Sequence, residues 1–247
     1  GKSRQDVAAQ TGVNPCHVGT MWEKDLKGGE EALRPIRRGR REGEKRKLSQ
    51  REEAELWNTL LKRTPRELQI GGWLWTREAV GRAAKGLKLR SVTDYLRRRG
   101  VLLPKPPLRR PEELPRSSAW WLGNTFPCLA ARARECNADA WWFSDSPLPS
   151  GCDAGSGEVL LLAAVDNSGK VRFMFCQGEL TARVFVRFLS RLSRDNGRKV
   201  FLVMCVQPLS PRKVITTWLV RHRERLELAY MPPNSPLLPR GTEPYSD

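Results

Sequence analysis

The sequence predicts a multidomain protein, an all-α amino-terminal region followed by an α/β domain with a mixed sheet. Two observations in the second half predict the sheet. Residues 159–165 and 171–176 are apolar runs on either side of Asp166-Asn167-Ser168-Gly169, a hairpin signal that makes the pair antiparallel. Residues 200–206 form a further apolar run, after which Val214, Ile215, Trp218 and Leu219 recur on one face of a helix. A last apolar run, 226–230, stops at Pro232-Pro233. Strand, helix, strand over about thirty residues is a parallel crossover, and such units place ligand sites at the carboxyl ends of their strands. Those ends are Cys205 and the loop after Tyr230.

From the amino terminus, residues 4–22 read as a helix-turn-helix. Ala8 is small where two helices must approach, Gly12 supplies a left-handed turn residue, and Asn14-Pro15 is an N-cap followed by proline at the first helical position. That reading puts Cys16, His17 and Thr20 on the groove-facing side of a recognition helix; an ordinary helical hairpin is the alternative. Residues 34–47 carry eight basic side chains against two acidic ones, with Gly and Pro and no apolar period, which predicts a linker. Arginines in an extended arm, here Arg37, Arg38, Arg40 and Arg41, are drawn to a narrow minor groove, although a solvated charge run has the same composition.

Ser49-Gln50-Arg51-Glu52 is a capping box that opens a helix with Leu56, Leu60 and Leu61 on one face. A helical pair follows, beginning at Thr76 and at Val92 with Gly86 between, and it carries Arg97 and Arg98. Trp73 and Trp75 are expected to fill the core. Residues 104–116 are Pro-rich and predict an extended boundary. The expected division is therefore 1–33, linker 34–48, 49–103, linker 104–116, and an α/β domain over 117–247. In that domain residues 117–137 are helical and 140–143 form an aromatic strand ending at Ser144-Asp145. Residues 180–194 form a helix with Val184, Phe185, Phe188, Leu189 and Leu192 inward, and Arg183, Arg187, Arg191 and Arg194 outward.

Lys and Arg outnumber Asp and Glu by 44 to 27, a formal charge of +17. The excess is clustered, which is the electrostatic footprint of a nucleic-acid partner. The longest apolar run is too short to span a bilayer, and the six cysteines include no Cys-x-x-Cys pair. Reduced thiols and a cytoplasmic location, nucleoid-associated in a bacterium, are the expectation, with no membrane partner and no structural zinc.

Gly169-Lys170-Val171-Arg172-Phe173-Met174-Phe175, Gly178-Glu179-Leu180, Lys199-Val200-Phe201-Leu202 and Tyr230-Met231-Pro232-Pro233-Asn234-Ser235-Pro236 resemble the catalytic domain of bacterial insertion-sequence transposases of the mariner superfamily. Trp75-Thr76-Arg77-Glu78-Ala79-Val80 and Tyr95-Leu96-Arg97-Arg98 resemble that family's second helix-turn-helix. The resemblance implies a ribonuclease-H-like fold with three catalytic acids, Mg2+ or Mn2+ as cofactor, and double-stranded DNA as partner. It further implies that transposon terminal inverted repeats are bound and that the chain works as a homodimer.

Carried over by residue, the first acid is Asp145, also the expected metal ligand, and the second position falls on Cys205. The third falls on Thr242, one residue before Glu243, which could substitute by a one-residue slip. Magnesium takes oxygen ligands and a thiol is soft, so this triad is expected to be impaired. The chain would be degraded or carboxy-terminally truncated, binding DNA while cutting and transferring strands poorly. A DNA-binding regulator or architectural protein without catalysis is one alternative. Another is an active nuclease built from Asp145, Glu243 and Asp153.

Overall fold

The computed structural model describes residues 2–34, 47–106, 115–149, 158–205 and 212–232, and it divides into two compact units, 1–46 and 47–247. The first unit is a pair of helices, α1 (Arg4–Thr11) and α2 (Pro15–Leu33). Ser3 and Asp6 close a capping box on α1, with each satisfying a backbone amide of the other. Gly12, at φ 70°, ends α1 and donates its N–H to the carbonyl of Ala8. Asn14 caps α2 by accepting the N–H of Cys16 at 2.9 Å. Ala8 and Gly19 are buried where the helices approach, and Gly29, at φ 62°, kinks α2.

The second unit carries a five-stranded sheet of β1 (Asp139–Pro147), β2 (Val159–Asp166), β3 (Val171–Gln177), β4 (Val200–Cys205) and β5 (Leu226–Met231). Their order is β3-β2-β1-β4-β5, with the β1–β2 and β2–β3 pairs antiparallel and the β1–β4 and β4–β5 pairs parallel. This is a mixed sheet, as the apolar runs and the hairpin signal predict. The hairpin between β2 and β3 forms where the turn residues predict it. Asp166 accepts from the amides of Ser168 and Lys170 at 2.9 and 2.8 Å, and Gly169 takes φ 84°.

Alternation along the strands feeds two cores. Trp142, Leu161, Ala163, Phe173, Phe175, Phe201 and Val203 face one side. There they meet α3 (Gln50–Lys62), α4 (Arg77–Ala83), α5 (Leu89–Arg98) and α7 (Phe126–Glu135). Trp141, Phe143, Leu162, Met174, Leu202 and Met204 face the other, under α8 (Ala182–Asp195) and α9 (Arg212–Arg221). The short α6 (Arg116–Trp120) runs through a π-helical turn, Trp121–Thr125, into α7. That turn brings Trp121 and Phe126 onto Trp142, with ring centroids 6.3 and 5.3 Å from it.

The helices of residues 49–103 share the first core with the sheet, so the Pro-rich stretch after them does not divide two cores. Trp75, buried as expected, also extends the sheet. Its N–H donates to the carbonyl of Phe173 at 2.8 Å and its carbonyl accepts the N–H of Phe173 at 2.9 Å, covering part of the β3 edge. Sequence spacing does not reveal this pairing, because the partners are about a hundred residues apart.

Candidate functional site

Asp145 lies on β1 and pairs with Leu162 of β2. The sequence places the strand end at Ser144-Asp145, but β1 runs on to Pro147. The reason is the antiparallel ladder, in which Ser146 and Pro147 still find partners in Leu161 and Leu160. Parallel pairing sets Trp142 of β1 beside Val203 of β4 and Cys205 beside Met231 of β5. The β1–β4 register ends at Trp142 and Val203, two residues before Cys205 on β4 and three before Asp145 on β1. The backbone at positions 145, 205 and 231 therefore gathers at one end of the sheet, the carboxyl ends of β1, β4 and β5. The register adds a distinction that the sequence does not carry. Leu162, the partner of Asp145, packs under α8 and α9, whereas Met231, the partner of Cys205, packs in the opposite core.

A hard divalent cation at this end would need carboxylates from several strands. Within their described residues, β1, β4 and β5 bring one to it, Asp145; the other acids of these strands, Asp139 and Glu227, sit at the far end. Among the described residues no group of three or more His, Cys, Asp or Glu side chains could hold a metal ion. Among the described residues, one carboxylate with a cysteine at the adjoining strand end does not complete a site for Mg2+ or Mn2+. Thr242, Glu243 and Asp153 lie outside the described residues, as do Arg37, Arg38, Arg40 and Arg41.

The predicted DNA-facing residues of the first unit, Cys16, His17 and Thr20, are all exposed near the start of α2. Thr20 donates its hydroxyl to the carbonyl of Cys16 at 3.0 Å, which leaves its oxygen able to accept. In the second unit α4 and α5 form a helix-turn-helix whose buried face is Val80, Val92, Tyr95 and Leu96. Gly81 makes the close approach there, since a Cβ would lie 2.7 Å from the carbonyl oxygen of Leu87. Burial pushes the Tyr95 hydroxyl up to about 12, and that hydroxyl donates to the carbonyl of Glu53 at 3.1 Å.

The two arginines predicted together on α5 divide in the structure. Arg97 is exposed. Arg98 makes a 2.6 Å ion pair with Glu53, whose side chain is only 9% exposed, so it ties α5 to α3. Lys85 makes the companion tie, 2.6 Å to Glu52, and with the Ser49 cap it holds the Glu52 carboxyl down to about 2. Electrostatics in this region thus serve helix docking as well as the exposed basic surface.

Sequence reasoning misses a second polar constellation, at the other end of the sheet. The carboxylate of Asp195, 2% exposed, accepts the N–H groups of Trp73 and Leu74 at 2.7 and 2.8 Å and pairs with Arg172 at 3.1 Å. Around it run two adjoining cavities of about 430 and 560 Å³ that share Arg66, Trp73 and Arg194. The one signal in sequence is the row of outward arginines on α8, which a solvated face explains equally well.

Residues 130–239 match the family described as DDE superfamily endonuclease. No curated protein sequence matches the chain. Among solved structures, the chain is similar to the Mos1 strand transfer complex at 15% identity and a TM-score of 0.35, covering 90% of this chain and 68% of the other. It is similar to the Mos1 mariner paired end complex with Mn at 14% and 0.32, covering 92% and 71%. For the Mos1 transposase paired-end complex with left transposon end the values are 15% and 0.32, covering 87% and 67%. Among the described residues no helix is long and apolar enough to cross a membrane.

Proposed function

We propose, from the premise that residues 130–239 form a domain of the DDE endonuclease superfamily, that this chain is a mariner-type transposase by descent whose working activity is binding duplex DNA. The reading gives the helix-turn-helix of residues 1–33 and the basic stretch 34–48 the recognition of transposon terminal inverted repeats. Strand cleavage and transfer are impaired, and two copies of the chain act together on DNA in the cytoplasm. The observation that supports it is that Asp145 on β1 and the cysteine that ends β4 stand toward the same end of the sheet, where two-metal chemistry calls for a second carboxylate. Asp145 would contribute one oxygen ligand to any cation there. The remaining donors among the described residues do not complete a set.

A loss of about 4 kcal/mol of metal stabilisation slows the chemical step roughly a thousandfold. The test is a nicking assay with Mg2+ or Mn2+ on an inverted-repeat duplex, run beside a binding titration. The expected result is binding without cleavage, with log affinity falling steeply with log salt. Cleavage that Asp145→Ala abolishes would overturn the impaired reading, and a flat salt dependence would overturn the DNA reading itself.

A further inference from the structure

The basic residues around Trp73 lie at the end of the sheet remote from Asp145. Arg198 and Lys199 precede β4, Arg225 precedes β5, and Arg194 closes α8, whereas Asp145 stands near the carboxyl end of β1. From the helical region come Arg66 and Arg82, and the loop Gly71-Gly72 lines the floor with φ of 90° and 85°. The guanidinium of Arg66 lies 4.5 Å from the Trp73 ring centroid and that of Arg194 lies 5.0 Å from it.

A solvated face would leave these side chains mobile or pair them with acids. Here Arg66, Arg82, Arg194 and Arg225 are exposed and make no ion pair among the described residues. The buried carboxylate in the cleft, Asp195, is taken up by Arg172 and two backbone amides. Glu224 is exposed and lies 3.4 Å from Arg223, while Arg198 and Lys199 already reach Asp139 and Glu227 at 3.8 and 3.3 Å. A guanidinium stacked on an indole keeps its edge N–H donors outward, in the fork geometry that suits a phosphate. Stacking also fixes the side chain before a ligand arrives, which lowers the entropy cost of binding.

We infer that the cleft formed by Arg66, Arg82, Arg194 and Arg225 around Trp73 is a second nucleic-acid surface, which takes the phosphodiester backbone of DNA at the end of the sheet opposite Asp145. It rests on the DNA-binding reading above and adds a site outside the first helix-turn-helix, to which α4 of the second lends Arg82. DNA held there is gripped through its phosphates, without base readout.

The full chain is compared with the triple variant Arg66→Ala, Arg194→Ala, Arg225→Ala in anisotropy titrations over a salt series. One arm uses a 20-base-pair duplex (about two turns) and the other a 20-nucleotide single strand, each of arbitrary sequence. The expected result is weaker binding in at least one arm, with the slope of log affinity against log salt reduced by about 2 to 3, and the affected arm identifies the form of DNA held. Unchanged slope and affinity in both arms, while the unaltered chain binds, overturns the cleft alone. No binding by the unaltered chain overturns the DNA reading as well. A second measurement needs no variant: arginine-selective modification by phenylglyoxal, read by mass spectrometry with and without DNA. Protection of Arg66, Arg194 and Arg225 supports the cleft, and equal modification in both states overturns it.

Discussion

The carboxylate of Asp195 accepts the backbone N–H of Trp73 at 2.7 Å across 122 residues of sequence. It accepts the N–H of Leu74 at 2.8 Å as well, and so joins the last turn of α8 to the segment that carries Trp75 onto the β3 edge. A carboxylate at a helix carboxyl end opposes the helix dipole; the Arg172 pair and the two amides offset that cost.

Asp195→Ala would strip two buried amides and Arg172 of their acceptor. The expected loss of stability is about 3 kcal/mol, read as a shift of the urea midpoint at unchanged slope. Asp195→Asn keeps one acceptor oxygen and should lose less. Equal midpoints for wild type and Asp195→Ala would show that the tie is dispensable.

Gly81→Ala tests the approach of α4 to the turn before α5. The added methyl meets a backbone carbonyl at 2.7 Å, so the turn must move. A cost of about 1 to 3 kcal/mol is expected from such overpacking, measured by thermal melting. The change should also loosen α5, seen as faster amide exchange at Tyr95 and Leu96.

The Glu52–Lys85 pair sets a pH dependence. The Glu52 carboxyl, ordinarily near 4.5, is held at about 2 in the folded chain, so its contribution is complete above the unfolded value and is lost as pH falls through about 2. The stability gap between wild type and Lys85→Ala should be constant near neutrality and close progressively from about pH 4.5 downward. A gap that stays open at the acid end would exclude this pair as its source.

Asp145→Asn separates the proposed DNA binding from strand cleavage. With no complete donor set among the described residues, removing one charge should leave duplex affinity within about twofold. Calorimetric titration of the unaltered chain with Mn2+ should give no site tighter than on the order of 1 mM. A tight Mn2+ site lost on Asp145→Asn would mean that ligands beyond the described residues complete the set.

Much of the fold was legible in the sequence because it is local. Asp166-Asn167-Ser168-Gly169 makes its turn from its own side chains, Ser49 and Glu52 cap their own helix, and the stripe of Phe185, Phe188, Leu189 and Leu192 names the inner face of α8. That β4 ends at Cys205 was readable from the apolar run before it. The extent of β1 was not, because the partners in β2 that carry it past Asp145 come from another stretch of chain.

By itself, then, the sequence determined which segments are helix or strand, the basic excess, and the residue types at the strand ends. Each depends on neighbours within a turn or a few residues. Tertiary structure alone decided that Arg98, of the two exposed arginines of α5, reaches Glu53 on α3, that Trp75 adds a rung to the sheet, and that Arg66 and Arg194 meet over Trp73. Those relationships join residues far apart in the chain, and only the packing of buried faces brings them within the few ångströms over which hydrogen bonds and ion pairs act.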